Sequence, residues 1–311
     1  MAVTVVGSIA YDAVKTPFGE RERMLGGAAV HFALAASFFD EVRVVGPVGD
    51  DFGDDEYAVL HNRGVITDDI EHVAGGKTFF WKGVYSENLN QRETLETDLN
   101  VFETFEPKLS QASRDAETLF LANIQPELQL AVRAQCAGAR FVAMDSMDLW
   151  INIAHDALTD VMRNVDVVIL NDEEVEMYSG KTPIISAANH ILDLGPKAVL
   201  AKQGKYGVGV IMREGTFWLP AYPMEQVIDP TGAGDSFAGG FVGFLSQHLG
   251  EEQDLDLFAR AAAYGTAVAS FNVQEFGTER VARLTGEEIA ERVGHLQRIT
   301  QFSDTPVALR G

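Results

Sequence analysis

Short apolar runs that end in turns alternate with helical stretches along most of the chain, and this alternation restricts it to one class of architecture. Val3–Val6 is a β-rich run closed by Gly7-Ser8. Ala28–Phe39, opened by Gly26-Gly27, has the small and apolar residues of a helix packed closely on a sheet, and Val42–Val48 and Asp51–Arg63 repeat the strand and the helix. The rhythm returns with strands at Thr118–Leu121, Phe141–Asp145, Val167–Leu170 and Ala198–Lys202, and helices over Pro126–Cys136 and Trp150–Arg163. A further helix follows Thr182-Pro183, where Thr182 suits a cap, Pro183 the first turn and Gly195-Pro196 the end. Strands joined by helices pair in parallel, and a parallel sheet is covered on both faces. Residues 1–311 therefore read as one α/β domain, a three-layer sandwich around a mostly parallel sheet. Residues 72–104 break the rhythm, because Thr78–Tyr85 and Thr94–Phe102 read as strands joined by a polar turn around Asn88-Leu89-Asn90-Gln91. This excursion, with part of 10–25, is expected to form a small β-sheet lid. After Tyr222 the pattern is helical almost to the end, apart from a turn at Gln274–Thr278.

Charge narrows the partners. With 24 basic and 46 acidic side chains the net charge is −22, whereas nucleic acid and anionic membranes both demand basic surface. No apolar run is long enough to cross a bilayer and the start has no leader pattern, so a cytoplasmic protein is expected. A single cysteine, Cys136, and scattered histidines exclude a disulfide framework and a zinc site. If the ligand is a phosphate, such an acidic chain must build local positive potential from backbone N–H groups, a metal ion and a few lysines.

The segment Asp229-Pro-Thr-Gly-Ala-Gly-Asp-Ser236, followed by the small-residue stretch Phe237–Phe244, meets that requirement. Gly232, Ala233 and Gly234 at a helix start leave backbone N–H groups free to converge on one anion, and the helix dipole adds to the attraction. Phosphoryl transfer spreads charge over three oxygens, which fixed donors of this kind stabilise. Asp235 follows at once and is placed to take a proton from an incoming hydroxyl. A lone Gly-x-Gly also fits an ordinary tightly packed helix start; the whole eight-residue string is more specific.

At this segment the chain resembles the ribokinase family of PfkB-type carbohydrate kinases, and the resemblance extends over nearly its whole length. It implies a ribokinase-like sandwich with a β-lid, ATP as co-substrate, Mg2+, an anion hole at Gly232, Ala233 and Gly234, and Asp235 as catalytic base. Asp229 and the backbone of Thr231 match positions that hold a monovalent cation, K+, in many members. Val6-Gly-Ser-Ile-Ala-Tyr-Asp12 resembles the family's first strand, which implies that Asp12 grips substrate hydroxyls, and Gly26-Gly27 resembles its paired glycines beside the substrate. Val45–Gly53 resembles its N-terminal signature region. Asn171-Asp-Glu-Glu174 matches the Asn-x-x-Glu motif that orients magnesium through water, although by themselves these residues read more readily as an acidic helix start. Lys202-Gln-Gly-Lys-Tyr-Gly207 resembles the glycine turn near the nucleotide, which gives Lys202, Gly204 and Gly207 to nucleotide binding. It is not a P-loop, since Val199 stands where the first glycine is needed and Tyr206 follows the lysine.

The match weakens at Asp145-Ser-Met-Asp-Leu-Trp150, where only the first aspartate of an Asp-x-Asn-x-Arg stretch survives, and at Gln274–Thr278. In the lid, Phe79, Trp81 and Tyr85 share one strand face and Phe80 and Val84 the other. Such faces serve lid packing, a homodimer contact through the lid, or stacking on a sugar or a base. Arg92 suits a substrate phosphate or plain solvent. A dinucleotide-binding dehydrogenase is excluded, because Val6-Gly-Ser-Ile-Ala-Tyr lacks Gly-x-Gly-x-x-Gly, and a non-catalytic sensor would not need Asp235. The expectation is transfer of the ATP γ-phosphoryl group to a hydroxyl of a sugar or sugar-like substrate, with a nucleoside as the alternative, since no motif reads a base edge.

Overall fold

Consecutive residues of the central strands point into two different apolar clusters, which is why the sheet is covered on both sides. Val3 and Val5 enter one cluster and Val6 the other; Phe141 and Ala143 oppose Val142 and Met144; Val167 and Ile169 oppose Val168 and Leu170. The computed structural model describes residues 2–89 and 92–301, so Asn90 and Gln91 of the expected turn lie outside the described residues. Thirteen strands are present among these residues: β1 (Ala2–Val6), β2 (Ala10–Thr16), β3 (Gly19–Gly26), β4 (Glu41–Val48), β5 (Ile66–His72), β6 (Phe79–Tyr85), β7 (Arg92–Asp98), β8 (Thr118–Leu121), β9 (Phe141–Asp145), β10 (Val167–Asn171), β11 (Ala198–Lys202), β12 (Val208–Met212) and β13 (Thr216–Leu219). Nine form a sheet of order β13-β12-β11-β10-β9-β8-β1-β4-β5, parallel from β11 to β5, with β12 and β13 added antiparallel at one edge. The other four form the separate small sheet β3-β2-β6-β7. The fold is the expected ribokinase-like α/β arrangement, a mostly parallel large sheet with a smaller second sheet.

The site-bearing helix, Ala233–Gln247, is buried along almost its whole length between helix Ala28–Ala36 and helix Leu255–Asn272. Glycines make this possible. A Cβ on Gly239 would stand 2.3 Å from the carbonyl oxygen of Phe32, and one on Gly240 2.9 Å from the Cα of Gly265. Phe32, from the first of these helices, stacks on Phe120 of β8 with centroids 4.1 Å apart, which ties the helical layer to the sheet.

Some boundaries differ from the sequence reading. The helix expected over Trp150–Arg163 is two, Asp148–Ile153 and His155–Met162, broken at Ala154. The two pieces answer different demands: Trp150 Nε1 donates to Asn123 Oδ1 at 3.0 Å, while Leu158, Val161 and Met162 fill the core. The second lid strand stops at Asp98, and Asn100–Thr104 becomes a 3₁₀ turn that brings Phe102 against Phe79 and Phe105. The helix after Pro183 begins at Ile184 and Thr182 makes no side-chain cap. Strands β5 and β13 escaped the sequence reading because edge strands need no continuous apolar run.

Gly239→Val tests the close helix packing. Forcing a branched side chain against the Phe32 carbonyl should cost about 3 kcal/mol, the upper end of ordinary overpacking, seen as a lower denaturant midpoint. An unchanged midpoint would mean that the helices do not pack this closely.

Candidate active site

The parallel strands all end on one side of the sheet, where ligands of open α/β folds bind. Asp145 ends β9, Asn171 ends β10 and Lys202 ends β11, so residues distant in sequence arrive as neighbours. Gln129 joins the end of β8 to that of β9: its buried amide donates to the carbonyls of Leu121, Ala122 and Asp145 at 3.2, 2.9 and 3.0 Å.

Facing them is the start of helix Ala233–Gln247. Its N-cap, Gly232, is left-handed at φ 72°, ψ 3°, and a Cβ there would stand 2.3–2.4 Å from three atoms of the His31 ring beneath. Both the conformation and the approach require glycine. The Ser236 amide closes the first turn on the Gly232 carbonyl at 2.8 Å, and the Ala233 amide donates to Pro230 O at 3.2 Å. Ala233 is thus partly committed to the turn, and the amides of Gly232 and Gly234 are the donors left to an anion. Asp235 lies in the same turn, its carboxylate accepting from its own N–H.

Lys202 completes this cradle, since its Nζ is 3.2 Å from where a Cβ of Gly234 would be. The same ammonium pairs with Asp145 Oδ2 at 3.2 Å. Burial works against its charge, but Asp145, Glu174 and Asp235 outweigh that and raise its pKa above the usual lysine value. The carboxylates bear the opposite cost. Desolvation first, then Asp145, pushes Asp235 up to about 7 against the pull of Lys202. Glu174 is likewise raised to about 7, by desolvation and by Asp145, with Lys202 opposing.

Asn171 and Glu174 cap helix Asp172–Ser179 reciprocally: Asn171 Oδ1 accepts from the Glu174 amide at 2.7 Å and Glu174 Oε2 from the Asn171 amide at 2.8 Å. The acidic helix start and the site residue are therefore the same structure. Hard oxygen donors and three carboxylates against one ammonium suit magnesium. Among the described residues no three acidic or imidazole side chains stand close enough to chelate it. The fit is to a hydrated ion that these groups hold through water.

On the acceptor side, Asp12 lies in β2 and packs against Gly26, whose Cβ would collide with its carboxylate at 2.0 Å, and accepts from the Gly27 amide. Desolvation, then Asp229 and Asp235, raises it to about 7. Gly27 is held at φ 94° against the Ser8 carbonyl, so the paired glycines shape the wall around Asp12. Arg92 reaches over the site from β7, lowering the pKa of both Asp12 and Asp235. Gly204 opens a short turn after Lys202, and Gly207 follows where the backbone meets β13.

Asp229 is fully buried, and its carboxylate accepts from the Thr231 and Gly277 amides, each at 2.9 Å. The Thr231 hydroxyl reaches Tyr85 of the small sheet at 3.3 Å, and the Thr231 carbonyl accepts from Asn272 Nδ2 at 2.7 Å. The structure thus brings Asp12, Asp229, Asp235, Lys202 and Glu174 within electrostatic reach of one another, while Gly204 and Gly207 stand in the turn after Lys202. It adds Asp145, whose local motif is incomplete, Ser236, which closes the motif string but was given no role, and His31 and Asn272, which no motif marks. His31 sits four residues after Gly27 in an apolar helix and reads as core.

Residues 2–283 match the pfkB family carbohydrate kinases, and the chain belongs to that family. It is 29% identical over 252 residues to the cytidine kinase of Thermococcus kodakarensis, covering 79% of this chain and 88% of that protein. It is 30% identical to the ribokinase of Staphylococcus aureus over 125 residues, 39% of each. The solved structure of Burkholderia thailandensis nucleoside kinase in complex with inosine superposes with a TM-score of 0.76 at 19% identity, over 94% of this chain and 97% of that one. The protein is a kinase that uses ATP as co-substrate. No helix among the described residues is long and apolar enough to cross a membrane.

Asp235→Asn should keep ATP binding while lowering kcat by about 10²–10⁴-fold, the contribution of a positioned base. The folded-state pKa of about 7 lies above the ordinary 3.8, so ionising Asp235 costs the fold nothing below about pH 4 and progressively more as pH rises toward 7. The asparagine variant should therefore melt higher than wild type at pH 8. Wild-type kcat/KM should fall on acidification through about 7. Near-normal turnover in the variant would remove Asp235 from the reaction.

Proposed function

We propose that this enzyme transfers the γ-phosphoryl group of ATP to the primary ribose hydroxyl of a ribonucleoside. The observation that carries the reading is the site-facing surface of the small sheet. Asp12 of β2 and Trp81 of β6 are register partners on neighbouring strands, so a carboxylate suited to vicinal hydroxyls stands beside an indole. The indole lies flat along β6: a Cβ on Gly83 would meet its ring at 2.1 Å, and Nε1 donates to Thr94 Oγ1 at 3.3 Å. The Arg92 guanidinium lies over the same ring, 5.6 Å from its centroid, so the indole beside the hydroxyl grip shares its face with a cation; an aromatic surface next to a hydroxyl grip is the pairing that a nucleoside needs and a free sugar does not. The near full-length sequence similarity to the cytidine kinase supports it; the sequence match to the Staphylococcus aureus ribokinase spans 39% of the chain.

In the proposed reaction Asp12 orients the ribose and the acceptor hydroxyl lies between it and Asp235. Asp235 takes the proton as the hydroxyl oxygen bonds to the γ-phosphorus, and the bond from that phosphorus to the bridging oxygen breaks, releasing ADP. The Gly232 and Gly234 amides and Lys202 hold the charge that builds on the transferring oxygens. Asn171 and Glu174 would hold hydrated magnesium through water, and that ion would supply positive charge beside the nucleotide phosphates. A free sugar is the second reading, because the grip at Asp12 requires only vicinal hydroxyls.

A panel of nucleosides and sugars, compared by kcat/KM in a coupled ADP assay, decides between them. A site built to bond a substrate group rejects analogues lacking it by roughly 10⁴-fold, so the classes should separate cleanly. Trp81→Ala should weaken nucleoside binding by about 1–3 kcal/mol, the usual worth of a stacked base. A sugar outpacing every nucleoside, with Trp81→Ala affecting only stability, would reverse the assignment.

A further inference from the structure

The oxygens around the turn Asp229–Thr231 are met by the chain's own donors. Both Asp229 carboxylate oxygens accept backbone N–H groups, and the Thr231 carbonyl, which the family resemblance gives to a monovalent cation, accepts Asn272 Nδ2 at 2.7 Å. The Asn272 N–H takes up one lone pair of that carbonyl and sets the positive end of a dipole beside it, which disfavours a cation on the same oxygen. The amide orientation of Asn272 follows from chemistry, because a carbonyl only accepts and the nitrogen must therefore face Thr231. Its Oδ1 then accepts from Ser236 Oγ at 3.1 Å and from His31 Nδ1 at 3.2 Å. This assigns the proton of the imidazole to Nδ1.

Burial lowers the His31 pKa to about 4, so the ring is neutral and acts as a support, not as a charge. Its face lies under Gly232 and its edge holds Asn272, whose amide holds the carbonyl one residue before Gly232. Asn272 ends helix Leu255–Asn272, Ser236 lies in the first helical turn after Gly232, and His31 comes from helix Ala28–Ala36. Three buried helices therefore converge on one left-handed residue, and a shift in any of them moves the amides that face the phosphoryl group.

We propose that Asn272, oriented by His31 and Ser236, is a positioning residue of the anion hole that fixes the Thr231–Gly232 turn from within the chain, in place of a monovalent cation. The inference rests on the assignment of the anion hole and is independent of which acceptor the enzyme takes. Two substitutions separate orientation from folding. Asn272→Asp keeps the shape and both acceptor contacts but removes the donor to Thr231, and His31→Phe keeps a flat ring under Gly232 but removes the donor to Asn272.

The test measures kcat, acceptor KM, ATP affinity and melting temperature for the full chain and both variants. Should no acceptor in the panel turn over, the comparison is read in the slow hydrolysis of ATP by water, so loss of the nucleoside reading does not remove it. Asn272→Asp should lose about 10²-fold in kcat, the cost of a displacement near 1 Å at a reacting centre, with acceptor KM little changed; its buried carboxylate against a carbonyl lowers the melting temperature as well, so kcat is compared far below that temperature. His31→Phe should show the same pattern with a smaller loss. Wild-type kcat should be unchanged when potassium chloride is replaced by tetramethylammonium chloride at equal ionic strength. Wild-type kcat in either variant, a loss that only tracks the melting temperature, or a steep potassium requirement in the wild type would each overturn the proposal.

Discussion

Three carboxylates, Asp145, Glu174 and Asp235, converge on one ammonium, Lys202, at the strand ends of a sheet that keeps much of the surrounding water out. This imbalance governs the chemistry of the cleft. Burial first, and then the neighbouring Asp145, which one lysine cannot offset, holds Glu174 and Asp235 near 7 and not near 4. A magnesium ion held through water would offset part of the unmet negative charge. Such a cluster is costly to the empty fold, and a carboxylate that titrates near neutrality is suited to taking a proton from a hydroxyl.

On the proposed reading, the imbalance also explains why the phosphate cradle would be built from backbone. An acidic chain of net charge −22 has little basic side chain to spare near the site, and amides at a helix start provide directed positive potential without a formal charge. That solution demands accuracy in the main chain. Gly232 is left-handed and lies on His31, Gly239 lets the helix approach Phe32, and Gln129 joins the end of β8 to that of β9, which carries Asp145. Each of these constraints lies behind the groups that touch substrate, and each fixes where those groups stand.

The strand and helix rhythm was legible because parallel strands buried on both faces need continuous apolar runs, and the motif around Asp235 was legible because its chemistry requires consecutive small residues. Edge strands such as β5, with its run Thr67-Asp68-Asp69, carry no such signal. Asn171…Glu174 was read correctly as acids at a helix start, yet the reciprocal cap that fixes both side chains emerges only from the backbone geometry. His31 and Asn272 were illegible for a deeper reason: they are 241 positions apart, and a buried histidine in an apolar helix has nothing local to distinguish support of an active site from ordinary packing. Asp145 lay between these cases, visible as a surviving aspartate but meaningless until Lys202 stands 3.2 Å away.

The central claim is that the helix start at Gly232–Gly234 cradles the transferring phosphoryl group with Asp235 beside the acceptor hydroxyl. A crystal structure with ADP, magnesium, a planar metal-fluoride mimic of the phosphoryl group and a nucleoside tests it most directly. The account predicts fluorines within hydrogen-bonding distance of the Gly232 and Gly234 amides and of Lys202 Nζ, and the acceptor oxygen between Asp235 and Asp12. A phosphoryl mimic bound elsewhere in the cleft, or an acceptor oxygen out of reach of Asp235, would contradict it.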